Sequence, residues 1–243
     1  MKVIYEDNHI IVVIKEANTP SQSDKTGDID MLTLVKDYVK EKYNKPGEAY
    51  IGLVHRLDRP VGGIMVFART SKAASRLSEQ IRNKTFKKKY LAVVDGKFDN
   101  NNGTLTDYLY KDERNNISKV VSETKKNSKR AELDYEVLNY DDKRNLSLVK
   151  IDLHTGRHHQ IRVQMAHVGH SLFGDQKYGT RGKGKQIRLW AYEVEFEHPT
   201  TKEALKFTDY PDWSMVAKRG AKRGAKRGHL GVRKRVSESL CKL

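Results

Sequence analysis

The stretch His55-Arg56-Leu57-Asp58-Arg59-Pro60-Val61-Gly62-Gly63 places one carboxylate between two cations, in a loop between two apolar runs. Opposite charge nearby favours the ionised form of a carboxylate, and Arg56 and Arg59 stand close enough in sequence to supply it. Proline and glycine restrict the loop, so Asp58 should be both charged and sterically fixed. A group of that kind acts as a nucleophile or a base. A loop aspartate on its own is more often an ordinary salt-bridge partner, so the assignment needs further residues behind it.

A second chemical stretch runs Leu153-His154-Thr155-Gly156-Arg157-His158-His159-Gln160-Ile161-Arg162. Thr155 is placed to cap the helix that follows, and His159 and Arg162, three apart, then share one helix face. Free N–H groups at a helix N-terminus suit phosphate; a cationic helix face in water is the plainer alternative. The histidines His154, His158, His159, His167 and His170 lack the cysteines or the His-plus-carboxylate spacing of a metal site, so no metal is expected. His55-Arg56-Leu57-Asp58 has the wrong spacing for a kinase catalytic loop, and no glycine-rich phosphate loop precedes it. Gly182-Lys183-Gly184-Lys185 is too short to be a P-loop.

These residues need elements to position them. Val3–Tyr5 and His9–Ile14 flank a turn at Asp7-Asn8 and read as a hairpin. Asp30 caps a helix with Met31, Leu34, Val35, Tyr38 and Val39 on one face. Tyr50–Val54 and Ile64–Ala68 read as strands on either side of the Asp58 loop. Ser71 opens a helix presenting Ala73, Leu77 and Ile81. Tyr90–Val94 is a strand, and Ala131–Val137 and Trp190–Phe196 alternate with a period of two. Leu146–Leu153 shifts its alternation near Leu148-Val149, which predicts a bulge. Gln160–Val168 reads as a helix with Ile161, Met165 and Val168 facing a core and Gly169 as its stop. The pattern is mixed α/β (α+β): a largely antiparallel, bulged sheet with flanking helices around a central cleft.

The chain carries a net charge of +16, and 32% of its residues are charged. From Val216 to Leu243 there are ten Lys/Arg and one acid, Glu238, so that segment carries +9 and the first 215 residues +7. A basic body points to a polyanion, and nucleic acid is the usual one. Ala-Lys-Arg-Gly occurs three times between Ala217 and Gly228 with no apolar face. The expected division is therefore a catalytic domain over 1–215 and a basic, disordered tail over 216–243. No apolar run is long enough for a membrane span and no secretory signal opens the chain. The lone Cys241 rules out an intrachain disulfide and argues against a cysteine-rich zinc site. A cytoplasmic monomer is expected.

Taken together, the segments resemble the RluA-type family of pseudouridine synthases. The resemblance rests on Tyr5–Val13, on His55–Thr70, on Lys89-Tyr90-Leu91-Ala92-Val93-Val94-Asp95-Gly96 and on Thr155–Gly179. The last block includes His167-Val168-Gly169-His170 and Gly174-Asp175-Gln176-Lys177-Tyr178-Gly179. These four motifs stand in the family's order and span roughly Val3 to Phe207.

The resemblance implies isomerisation of uridine to pseudouridine in structured RNA, rRNA or tRNA, without metal or organic cofactor. Asp58 matches the catalytic aspartate, Tyr90 the active-site tyrosine and Arg162 the arginine that pairs with the aspartate. His55, Arg56, Arg59, Arg157 and His159 are the candidate RNA contacts. The pattern begins at Val3, so the family's frequent S4-like module is not expected ahead of it. A catalytically inactive RNA-binding or ribosome-assembly factor on the same fold is the alternative, and the joint presence of Asp58, Tyr90 and Arg162 favours the enzyme.

Overall fold

Six consecutive buried residues, Ile10–Lys15, form a strand whose two faces pack against different layers. Ile11 and Val13 turn to one hydrophobic cluster, and Ile10, Val12 and Ile14 to the other. The computed structural model describes residues 1–44, 46–182 and 184–213. The segment 216–243, expected to be a tail, lies outside the described residues. In chain order the elements are β1 (Lys2–Glu6), β2 (Ile10–Lys15), α1 (Met31–Lys42), β3 (Gly52–Leu53), β4 (Gly62–Ala68), α2 (Ser71–Arg82) and β5 (Lys87–Asp95). They continue with β6 (Asn102–Asp112), β7 (Ile117–Val121), β8 (Lys129–Asp141), β9 (Leu146–Leu153), α3 (Gln160–His167), β10 (Leu189–Glu197) and β11 (Ala204–Thr208).

The strands make one sheet in the order β1-β2-β4-β10-β5-β9-β8-β6-β7, with β3 added to β4 and β11 to β10. Every described pairing is antiparallel except β4 with β10. That parallel seam is two pairs long, Gly62 with Trp190 and Gly63 with Ala191. Both glycines are required there. A Cβ on Gly62 would fall 2.1 Å from the Trp190 ring, and one on Gly63, at φ +126°, 2.4 Å from the Ala191 carbonyl oxygen. Helices α1 and α3 cover one face through Met31, Val35, Val39, Ile161 and Met165, and α2 covers the other through Ala73 and Leu77. The fold is α+β with a mostly antiparallel sheet, as the pattern implied.

Several local expectations hold. Asp30 accepts a hydrogen bond from Thr33 N at 3.1 Å and caps α1. Thr70, just ahead of Ser71, caps α2 through Ala73 N. Gly169 at φ +86° ends α3, with its N–H on the Ala166 carbonyl and that of His170 on Met165.

Others need correcting. Val168 is 40% exposed, because the helix has ended and its side chain lies beyond the last packed turn. The irregularity expected at Leu148-Val149 belongs to the partner strand: the β8 register slips between Val137 and Asn139, so Leu138 is the extra residue opposite Val149 and Leu148. The strand expected over Tyr50–Val54 is reduced to Gly52–Leu53. Strands β6, β7 and β11 were not expected from the sequence. Thr155 does not cap α3; the capping position belongs to His159, and no side chain caps it.

Candidate active site

Asp58 leads into β4 from a loop held on both sides. Ser21 donates its hydroxyl to the Leu57 carbonyl at 2.7 Å and accepts from Leu57 N at 3.1 Å. Lys15, fully buried at the end of β2, donates to the Arg59 carbonyl at 2.9 Å and to the Glu16 carbonyl at 3.1 Å. Burial pulls the Lys15 ammonium down to about 7, against the attraction of Asp58. The loop is therefore fixed through its backbone, leaving the Asp58 carboxylate to point outward.

That carboxylate meets Arg162. Arg162 Nη1 donates to Asp58 Oδ2 at 3.1 Å, while its Nε and Nη2 each donate to Asp175 at 2.7 Å. Arg162 and Asp175 are buried, and Asp175 has no exposure at all. Burial would raise the Asp175 carboxyl, but the Arg162 hydrogen bonds and charge, with backbone N–H donors from Lys177 and Tyr178, hold it below the ordinary range. Burial would likewise lower Arg162, and Asp175 and Asp58 together keep it raised. The result is a carboxylate–guanidinium–carboxylate chain whose inner end is dry and whose outer end opens on a groove.

Tyr90 projects from the middle of β5 into the same place. It is buried, and its hydroxyl pKa is raised by burial and then by the charge of Asp58, so the phenol stays protonated at neutral pH. His159 adopts a left-handed backbone, φ 54°, at the start of α3, and this turns its ring to the carboxylate: Nε2 lies 3.7 Å from Asp58 Oδ2. The loop before it is organised by Gln160, whose Oε1 accepts from Thr155 Oγ1 at 2.7 Å and Arg157 N at 3.0 Å. Its Nε2 donates to the Glu132 carbonyl at 3.0 Å.

The groove above these groups has a volume of about 1030 Å³, at the upper end for a small-molecule site. Its walls carry His55, Arg56, Arg59, Lys88 and Arg157. The structure thus gathers Asp58, Tyr90, Arg162 and His159 at the floor and sets Arg56, Arg59 and Arg157 toward the surface. His55 is buried in the wall, where Nε2 accepts from Val66 N at 3.0 Å; burial, then the Lys88 charge, pulls its pKa down to about 3. One expectation fails: Arg59 does not serve Asp58, because its guanidinium pairs with Asp24 and Asp28. The countercharge comes from Arg162, more than a hundred residues away. Sequence reasoning assigned no role to Lys15, Ser21, Asp175 or Tyr178; Asp175 and Tyr178 stood in a quoted motif, but their partners lie elsewhere in the chain.

A buried ion chain ending in one outward carboxylate, beside a protonated tyrosine in a basic groove, is an arrangement suited to acid–base or nucleophilic chemistry on a polyanion. A family model described as RNA pseudouridylate synthase matches residues 9–167. RNA pseudouridine synthase YhcT of Bacillus subtilis (strain 168) is 33% identical over 208 residues, 84% of this chain and 67% of that protein. Ribosomal large subunit pseudouridine synthase C of Haemophilus influenzae is 30% identical over 227 residues, 89% of this chain and 67% of that protein. The solved structure of Human RNA Pseudouridylate Synthase Domain Containing 4 superposes with a TM-score of 0.74 at 19% identity, covering 90% of this chain and 92% of the other, so the fold is shared. The chain belongs to the RNA pseudouridylate synthase family, and its chemistry is the isomerisation of uridine in RNA. No described helix is long and apolar enough to cross a membrane.

Proposed function

We propose that this chain isomerises particular uridines of structured RNA, ribosomal or transfer RNA, with Asp58 as the catalytic group and the target uridine flipped out of the stack. The observation that carries this reading is the Arg162–Asp58 contact at 3.1 Å beside Tyr90, at the floor of the basic groove. The reaction breaks N1–C1′, turns the uracil within the pocket, joins C5 to C1′, and moves the C5 proton away while N1 ends protonated. No atoms are gained or lost. Asp58 either attacks the sugar or removes a ribose proton, and in both cases it must be anionic and fixed.

Arg162 supplies the countercharge and, being tied at its other edge to Asp175, holds the carboxylate in one orientation. Tyr90 offers a ring face for the uracil and a protonated hydroxyl for the C5 region. A base held in a duplex or stacked loop cannot present its C5 and its C1′ to Asp58 and Tyr90 together unless it is extruded, which motivates the flipping step. Arg56 and Arg157, exposed on the walls, then meet the phosphates, with Arg59 at the rim.

The test is release of tritium from RNA labelled at uridine C5. Wild type should release it, and Asp58→Asn should not, while binding RNA within a few-fold of wild type. Turnover by Asp58→Asn would remove Asp58 from the mechanism. A wild-type protein that binds RNA and releases nothing from any RNA fraction would favour the non-catalytic factor.

A further inference from the structure

His159 is one of two stacked histidines, its ring centroid 3.8 Å from that of His158. Its Nδ1 lies 2.9 Å from the hydroxyl of Tyr178. That hydroxyl oxygen already accepts the backbone N–H of Ser118 at 2.6 Å. No other acceptor for the Tyr178 proton is found among the described residues, so the phenol donates to His159 Nδ1. The remaining imidazole proton must then sit on Nε2, the nitrogen that faces Asp58. Burial, then the Arg162 charge, pulls the His159 pKa down to about 2, so the ring stays neutral and keeps that single proton.

We propose that His159 is a positioning residue for the reaction, a neutral donor whose tautomer is set by Tyr178 and Ser118 and whose Nε2–H is directed at Oδ2 of Asp58. This rests on the reading of Asp58 as the catalytic group. Arg162 holds the same oxygen, so both donors converge on Oδ2 and leave Oδ1 as the oxygen presented to the ribose. The 3.7 Å separation is longer than a hydrogen bond, and a movement of under about 1 Å as substrate fills the groove closes it. The left-handed backbone at His159 is disfavoured for a residue with a Cβ, and it accompanies the turn of the ring from the helix start toward the carboxylate. His158 completes the support. Its carbonyl accepts the Ser118 hydroxyl at 2.6 Å, which ties the stacked pair to β7.

Two measurements test this. Long-range ¹H–¹⁵N spectra of histidine-labelled protein should show His159, assigned with the His159→Leu variant, as the neutral Nε2–H tautomer from pH 5 to 8. In Tyr178→Phe that preference should be lost. In tritium release, His159→Leu should lower kcat by about 10- to 100-fold, the worth of one hydrogen bond to a charged group, with KM near wild type. His159→Gln, whose side-chain amide restores a donor of similar reach, should recover part of that loss. An Nδ1–H tautomer, an imidazolium at neutral pH, or a His159→Leu enzyme with unchanged kcat would each overturn the proposal. The spectra need no turnover, so a failure of the Asp58 reading, seen as an active Asp58→Asn enzyme, is separable from a failure here.

Discussion

Asp175→Asn isolates the inner half of the ion chain without changing its shape. The amide oxygen can still accept from Lys177 N and Tyr178 N, which contact Oδ1 at 2.9 and 3.2 Å. The amide nitrogen, however, then faces Arg162 Nε, donor against donor, where a carboxylate oxygen now accepts at 2.7 Å. Removing one partner of a buried pair costs about 3–5 kcal/mol, because the other charge is left uncompensated. Here Asp58 remains 3.1 Å from Arg162, and its side chain keeps 29% exposure, so it takes up part of the charge. The expected loss lies at the low end, about 3 kcal/mol, or roughly 6–12 °C in melting temperature for a chain of this size. Activity should fall further than stability suggests, because a freed Arg162 turns its fork onto Asp58 and draws the carboxylate off its line. The dependence on pH has a definite sign. The Asp175 carboxyl is held below its ordinary value in the folded state. Its stabilisation is therefore complete above about pH 4, the unfolded carboxylate range, and is lost as pH falls through the folded value. Melting curves of wild type and variant should thus be well separated at pH 7 and converge on acidification. A variant melting within 2 °C of wild type at pH 7, or a gap that widens in acid, would refute the claim that Asp175 compensates a buried guanidinium.

Further outcomes can be read with the same assays. Tyr90→Phe keeps the ring and removes the hydroxyl; it should still bind and flip uridine but stall before the C5 proton leaves, and wild-type tritium release would reduce Tyr90 to a stacking surface. Lys88 lines the groove two residues before Tyr90, on the same face of β5, with no ion-pair partner among the described residues and its pKa lowered by burial. Lys88→Gln should raise the melting temperature slightly and flatten the salt dependence of single-stranded RNA binding by about 0.7 in the log–log slope; an unchanged slope would show that no phosphate is held there. Removing 216–243 takes away ten cations. It should weaken RNA binding similarly for target and non-target RNA, with the two forms converging at high salt.

Much of the scaffold was legible because burial imposes a period. Asp30 ahead of Met31, Leu34 and Val35, and the alternation from Ala131 to Val137, each fix an element type with few rivals. β6 escaped because Thr104, Thr106, Tyr108 and Asp107 put polar groups on both faces of a half-exposed strand, so no one-sided pattern marks it. The start of α3 misled for a different reason. Thr155 has the right chemistry for a cap, but Gln160 captures its hydroxyl, and a histidine occupies a conformation that favours glycine or asparagine. At the site, residue types and the resemblance singled out Asp58, Tyr90 and Arg162. What could not be seen was pairing across the chain. Arg59 is adjacent to Asp58 in sequence yet serves Asp24 and Asp28, and the tie from Arg162 to Asp175 is a fact of tertiary structure.

The place of β10 in the sheet sets the order in which the enzyme can come into being. It is the tenth of the eleven described strands in chain order, yet it lies between β4 and β5 in the interior of the sheet. Until Leu189–Glu197 arrives, the half-sheet that leads out of the Asp58 loop and the half-sheet that carries Tyr90 have no seam between them. During synthesis at roughly 5–20 residues per second, the inner edge of β5 waits on the order of 5–20 s for roughly a hundred further residues. Closure over such distances is also intrinsically slow. For that interval the nascent chain has open edges that invite mispairing, and the strands bearing the Asp58 loop and Tyr90 lack the strand that pairs with both. Catalytic competence is thus acquired in one late event, the insertion of β10, and a nascent chain stalled before that strand should be inert toward RNA.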